Sequence, residues 1–466
     1  MNHMNLKNSF KFSLSWKLFV VGFMIAILMI PTGLIAILVN ERSNRQEAAF
    51  QEVSEKWGYE QIITGPVLSV PYKVVSESIV NGQKKIEETV HYAYFLPDTL
   101  HIAGTVSPET RQRGIYEVAV YNTALTITGE FSAPDFSPWE IAPEMVQNDK
   151  AAISLGIPDM RGIKENINLL WDKKPYSLAP GLPANEVLGS GASAKVAVEK
   201  NNKTKKYEYS LNLALNGSRN LSFSPLGKTT SVQLSSAWPS PSFQGAFLPV
   251  NYTLGDDGFK AEWKVLELNR NFPQSWLGSL NNYAGSGPVA PVYDEGVKPA
   301  SITGGFYSGN FGVTLLVPAD EYQQTTRTLK YAVLALALTF LVLFFYEAIK
   351  RQPVHPLQYI LIGLALALFY VLVLAISEHL GFDWAYAIAT AATVGLIALY
   401  SKSVFGAWKP AGVESLILLF IYGFIYVILQ LEDYSLLVGA IGLFVILATV
   451  MYVSRRIDWY ALGEKQ

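Results

Sequence analysis

A chain of 466 residues with 50% hydrophobic and only 16% charged residues, and a mean hydropathy of +0.23, is too apolar for an ordinary soluble protein of this length. A formal net charge of -2 without a basic block excludes nucleic acid as a partner. The lack of cysteine removes disulfides, thiolate metal sites and thiol nucleophiles. Five histidines (His3, His91, His101, His355 and His379) are scattered, and none pairs with another at helical spacing. No metal or cofactor site is therefore expected.

Residues 1–17 read as a cytoplasmic N-terminal segment. From Leu18 to Val39 the chain runs for 22 uncharged residues, LFVVGFMIAILMIPTGLIAILV, about 33 Å of helix. This first span (18–39) holds Pro31 in its middle and lacks a small-x-small cleavage signal, so an uncleaved anchor is expected.

Residues 40–330 have the composition of a soluble domain, with 25 Lys or Arg against 30 Asp or Glu between 41 and 329. NERSNRQEAAFQEVSEKW should continue the first helix outward as a stalk, ending at Gly58. Period-two alternation then marks VLSVPYKVVSE, KIEETVHYAYFLP, GIYEVAVYNTALTITGEF, KYEYSLNLALNG, TTSVQLSSAW and FKAEWKVLELN as strands, with VNGQ, LNGSRN and LGDDGF as turns. Packed sheets follow from that pattern. Pro134 to Asn202 lacks it, and reads as connecting structure with a short helix or two. A repeated Phe-Leu-Pro at 95–97 and 247–249 hints at two related β halves. At the far end, Asp320 with Gln323 reads as a helix start, and that helix is expected to run straight into the second span as another stalk.

Five more apolar segments follow, at 331–349, 359–376, 384–400, 413–429 and 436–453, before a tail at 454–466. Lys7, Lys11, Lys17, Lys350, Arg351, Lys402, Lys409, Arg455, Arg456 and Lys465 fall on one side of these spans. The opposite short loops carry only Glu378, Asp383, Glu432 and Asp433. The positive-inside rule then puts both termini in the cytoplasm. The predicted fold is a polytopic α-helical membrane protein of six transmembrane helices, with a large β-rich periplasmic domain inserted between helices 1 and 2.

Few residues qualify for chemistry. Glu378, His379 and Asp383 in ISEHLGFDW look like a proton relay or metal site, but in this topology they fall in a turn at the outer interface, where a docking contact is the functional alternative. Glu347 and Glu414 sit at cytoplasmic helix ends, where an acid commonly snorkels or pairs within a turn. His355 reads as a loop residue between two prolines, and Asp256-Asp257-Gly258 as a hairpin turn. Arg111 and Arg113, before a strand-like run, are the outer-domain residues with the strongest case for contacting a ligand or partner. No HExxH, P-loop, dinucleotide or nucleophile-elbow pattern occurs.

The order of one anchor, a β domain and five clustered helices resembles the CreD inner membrane protein family. So do GPVLSVPY at 65–72, RQRGIY at 111–116, WPSPSFQGAFLP at 238–249, VPADEYQQTTRTLKYAVL at 317–334, HPLQYILIGLALALFYVLVLAISEHLGFDWAYAIA at 355–389 and RRIDWY at 455–460. The resemblance implies a bacterial inner (cytoplasmic) membrane protein under two-component control, tied to cell-envelope integrity, stress response and colicin tolerance. It brings no catalytic site. The expectation is a non-enzymatic protein whose partners are the lipid bilayer and an envelope protein or cell-wall component. The alternatives are a small-molecule or ion transporter and a membrane-bound envelope-modifying enzyme.

Overall fold

A computed structural model describes residues 14–80, 83–184, 187–200, 202–279, 306, 309–315, 321–350, 354–431 and 434–455. Asp320, Arg351, Glu432, Asp433 and most of the tail lie outside them, so the charge and capping expectations on those residues have no structural counterpart. The chain forms two compact units, Met1–Glu47 with Ala319–Gln466, and Ala48–Pro318.

The first unit is helical. Helix α1 (Leu14–Trp57) runs unbroken through Pro31, and only its last turns belong to the other unit. It is followed by α2 (Glu321–Lys330), α3 (Ala332–Lys350), α4 (Pro356–Leu380), α5 (Phe382–Phe405), α6 (Trp408–Gln430) and α7 (Ser435–Ser454). Five of these, α1, α4, α5, α6 and α7, are each long and apolar enough to cross a membrane. The pair α2 and α3 satisfies the same test only when taken together. Helix α7 exposes Leu436, Phe444, Leu447 and Met451 along its length, which suits contact with lipid and not with water.

The expected second stalk does not form as a straight run into the next span. Helix α2 belongs to the helical unit, packs on α4, and meets α3 at a 42° bend. Its inward face is Tyr322, Thr325 and Thr328. The Thr325, Thr326 and Thr328 hydroxyls donate to carbonyls four residues back, at 2.7 to 2.8 Å, and such back-bonding bends helices. His355 is likewise not a free loop residue. It caps α4, its Nδ1 accepting from the Leu357 N–H at 3.2 Å while its own N–H donates to Gln358 Oε1 at 2.9 Å.

The second unit is β-rich. Its strands are β1 (Gln61–Val80), β2 (Gln83–Phe95), β3 (Thr99–Arg113), β4 (Tyr116–Ser132), β5 (Ala152–Gly156), β6 (Asn168–Trp171), β7 (Lys174–Ser177), β8 (Ala179–Pro180) and β9 (Gly191–Lys195). Then come β10 (Lys206–Ser218), β11 (Asn220–Phe223), β12 (Thr229–Ser236), β13 (Pro241–Gly245), β14 (Asn251–Gly255), β15 (Gly258–Leu266), β16 (Ser275–Leu277) and β17 (Phe311–Leu315). One sheet runs β14-β15-β12-β3-β4-β10-β6-β7. The other runs β13-β17-β11-β1-β5-β9-β8, with β2 on β1 and β16 on β2.

Inward residues of both sheets form a single core. Trp263 of β15 makes the join, with ring centroids 5.6 Å from Phe243 of β13 and 5.9 Å from Phe311 of β17. The hinted two β halves are not separate sheets, since both sheets draw on both parts of the unit: in the second, β13, β17 and β11 form one block beside the block β1, β5, β9 and β8. Nor is 134–202 mere connection. It holds three short 3-10 turns and five strands, and β5 lies inside the second sheet between β1 and β9. All five residues of β5 (AISLG) are buried, so the strand shows no alternation to read.

Candidate functional site

Arg111 and Arg113 end β3, one residue short of the Gly114 turn into β4, and they face the last turns of α1. The Arg113 guanidinium donates to Glu52 at 2.8 Å, and Arg111 lies 4.5 Å from the Trp57 ring centroid while pairing with Glu109. Beneath them Phe50 packs on Val118 and Val120, with the Arg219 guanidinium 3.8 Å over its other face. Trp57 Nε1 donates to the Tyr121 carbonyl at 3.2 Å. Both arginines are thus committed to holding a helix against a sheet. Glu52 feels that pairing, hydrogen bonds from Lys56 and Arg113 holding its carboxyl below the usual range.

Helix α1 stops at Gly58, whose φ of +136° no L side chain readily adopts and whose missing side chain leaves room for the Asn216 carbonyl. The chain leaving it is fixed by Asp159. That carboxylate accepts from the Tyr59 N–H at 3.0 Å, the Arg161 N–H at 3.1 Å, and Arg161 Nε and Nη2 at 2.9 and 3.1 Å. Burial works against its charge, yet the Arg161 and backbone donors prevail and hold the carboxyl below its usual range. A depressed folded value means that the stabilisation is complete above the unfolded pKa of about 3.9 and is lost as pH falls below it. Acid titration of β-unit unfolding should therefore be steeper below about pH 4 in the wild type than in Asp159→Asn. Asp159→Ala, which removes the acceptor of four partly buried hydrogen bonds, should cost about 1 to 2 kcal/mol at neutral pH.

In the helical unit, Glu378, His379 and Asp383 do not sit in a loop. Helix α4 continues to Leu380 and α5 begins at Phe382, so Gly381 alone makes the corner, with φ +75°. Two abutting helices account for the longer spans. Glu378 is the most enclosed of the three, its side chain 10% exposed, and it accepts from Tyr322 Oη of α2 at 3.0 Å with Arg42 of α1 at 3.7 Å. Asp383 accepts from Tyr426 Oη and Gln430 Nε2 of α6, both at 2.9 Å. His379 is exposed. The three are not brought together on one ligand: two tie neighbouring helices to the corner and the third faces outward. Among the described residues, no three His, Cys, Asp or Glu side chains gather as a metal site.

The feature that the sequence reading passed over is the open edge of the first sheet. In β14, Tyr252 and Leu254 are in register with Ala261 and Phe259 of β15, both buried in the core. Yet Tyr252 and Leu254 are 58% and 54% exposed, and Leu248 and Val250 just before them are 70% and 59% exposed. Among the described residues, the sandwich is thus only partly covered where its core face reaches the edge, Phe243 alone setting a ring against Tyr252, at 5.6 Å between centroids. Among the described strands nothing pairs with the outer side of β14. Across the solvent face from β14 to β4 runs an open trough of about 820 Å³, floored by small residues such as Ala103, Gly104, Ala124 and Ser235. An exposed apolar patch on a free strand edge is what a protein that avoids association would cover or charge. In sequence, the signal was the apolar run LPVNYTLG, hidden behind a reading of LGDDGF as a turn.

The sequence profile of a family described as "Inner membrane protein CreD" matches residues 13–460. The Inner membrane protein CreD of Escherichia coli (strain K12) is 31% identical over 456 residues, covering 97% of this chain and 95% of that protein. Among solved structures, two of an M1 zinc metallopeptidase from Deinococcus radiodurans overlap. The first, a substrate-bound variant, has a TM-score of 0.19 at 10% identity, over 74% of this chain and 89% of that one. The second has a TM-score of 0.20 at 11% identity, over 71% and 87%. Scores that low carry no argument about fold or activity. With a family match over nearly its whole length, this chain belongs to the CreD family of inner membrane proteins.

Proposed function

We propose that this protein acts without catalysis in cell-envelope integrity and stress response, under two-component control, by docking an envelope protein on the open β14 edge of a periplasmic β unit. In this reading the chain crosses the inner membrane six times, α2 and α3 together counting once, and both termini are cytoplasmic. Lys350, Lys402, Lys409 and Arg455 at one set of helix ends, against Glu378 and Asp383 at the other, support that orientation. The observation that carries the docking is the exposed core face at Tyr252 and Leu254. A free backbone edge offers hydrogen bonds to an extended segment of a partner, and the two side chains offer an apolar anchor. A protein supplies both, whereas a glycan offers the apolar C–H faces of its sugar rings but no backbone edge to pair with β14.

The test is Tyr252→Lys with Leu254→Lys in the full chain. Both positions are more than half exposed, and the aliphatic stem of Lys can still cover Phe243, whose ring centroid lies 5.6 Å from that of Tyr252, so the fold and protein level should hold. Partner affinity should drop more than about 100-fold if each anchor is worth about 2 kcal/mol. Cells carrying the double variant should then be as detergent-sensitive as cells without the protein. Normal envelope protection by a well-expressed double variant would refute the docking edge.

A further inference from the structure

The helical unit encloses a buried acid, Glu414 of α6. Glu414 lies six residues into α6 and is 2% exposed, and neither carboxylate oxygen has a hydrogen-bond partner. Its neighbours can be named helix by helix. From α5 comes Ser401, completely buried, its hydroxyl beside the Glu414 carboxylate but short of hydrogen-bond geometry. From α4 comes Tyr359, within electrostatic reach of both Glu414 and Glu347 of α3, and donating to Glu347 Oε2 at 3.4 Å. Glu347 is itself only 9% exposed.

Among the described residues, no cation pairs with Glu414. Lys402 of α5 is turned to the Trp408 ring, 4.2 Å from its centroid, and Lys409 is exposed. Arg455, beyond α7, lies 4.0 Å over Tyr452, and Arg327 and Lys330 of α2 make no bond to Glu414. An ionised carboxylate without donor or counter-charge in a bilayer-spanning bundle is among the costliest placements a protein can make. Hard divalent cations would take about six oxygens, more than the Glu414 carboxylate and the Ser401 hydroxyl can supply. A single proton removes the charge, and the new O–H has the Ser401 hydroxyl beside it as a partner.

We propose that Glu414 is a proton-binding site of the bundle, the carboxylate taking one proton from hydronium to become a neutral carboxyl and releasing it again from the same side. One-sided exchange follows from the packing. The inward face of α5 is polar at Tyr386, Thr390 and Thr393 and again at Ser401, but Ile397 of α5 and Leu418 of α6, both about 1% exposed, fill the layer between. Tyr370 and Tyr422, whose buried hydroxyls also lack partners, lie on the far side of that layer. The hydroxyls therefore do not join into a path across the bundle, and Glu414 works as a switch on α6 packing, not as a step in conduction.

Infrared spectroscopy of the full chain in lipid nanodiscs, titrated with acid and base, tests this. A protonated-carboxyl C=O band should be present at neutral pH and vanish as pH rises. It should be missing in Glu414→Gln and retained in Glu347→Gln. Should Glu414→Gln fail to fold, isotopically labelled glutamate in the wild type must shift the same band. A band that is absent at neutral pH, survives Glu414→Gln or ignores the glutamate label overturns the proposal. Loss of the band on adding sodium chloride at fixed pH overturns it in favour of a metal-cation site.

Discussion

Replacing Phe50 by alanine is expected to lower the stability of the β unit by about 3 kcal/mol. Phe50 is 7% exposed although it stands on a helix, because it is sandwiched between Val118 and Val120 of β4 on one face and the Arg219 guanidinium on the other. Truncation removes the apolar contact, leaves a cavity over two valines that are themselves 2% and 0% exposed, and takes the aromatic face from Arg219. The exposed pair of Arg113 with Glu52 should matter far less, since a surface ion pair is screened and costs side-chain entropy to hold. Hydrogen exchange of β4 amides in the full chain checks both statements. Strong deprotection in Phe50→Ala with little change in Arg113→Ala is the expected pattern. The reverse order would mean that charge and not burial fastens the helix end.

Trp263→Ala should be more damaging, at about 3 to 5 kcal/mol, because it opens the join between the sheets. Trp263 is completely buried and meets Phe243 and Phe311 of the opposite sheet edge-on and tilted. Its indole nitrogen has no hydrogen-bond partner, so the ring acts through packing alone. Trp263→Phe should therefore recover much of the loss, which a hydrogen-bonding role would not allow. Urea unfolding of the two variants followed by near-ultraviolet circular dichroism separates the cases. Equal losses for alanine and phenylalanine would contradict the packing account.

Parts of this architecture were legible because the physics that shapes them is local. The apolar runs of α4 to α7, and Gly58 as the stop of α1, follow from hydropathy and from a backbone angle that glycine tolerates. What escaped depends on distant partners. β5 is too short and too buried to alternate. Glu378 looked like a loop acid until Arg42 and Tyr322, hundreds and tens of residues away, enclosed it. Arg111 and Arg113 read as candidates for a ligand or partner contact because their counterparts Trp57 and Glu52 belong to a helix more than fifty residues earlier. Glu414 read as an acid at a cytoplasmic helix end because the apolar segment starts at 413, but α6 begins at Trp408 and about 9 Å of helix precedes it. The β14 edge was invisible for a different reason. A strand whose core-facing residues are left exposed has the same pattern as one whose core is closed.

The docking edge is the centre of the functional account, and photo-crosslinking in intact cells reaches it most directly. A photoreactive residue placed at Leu254 should give one reproducible protein adduct. The same residue at Leu170 of β6, half exposed near the other end of the same sheet, should give none, and the Leu254 adduct should vanish when Tyr252→Lys is added. Equal labelling from Leu170 and Leu254, or an adduct indifferent to Tyr252→Lys, would contradict a partner seated on β14.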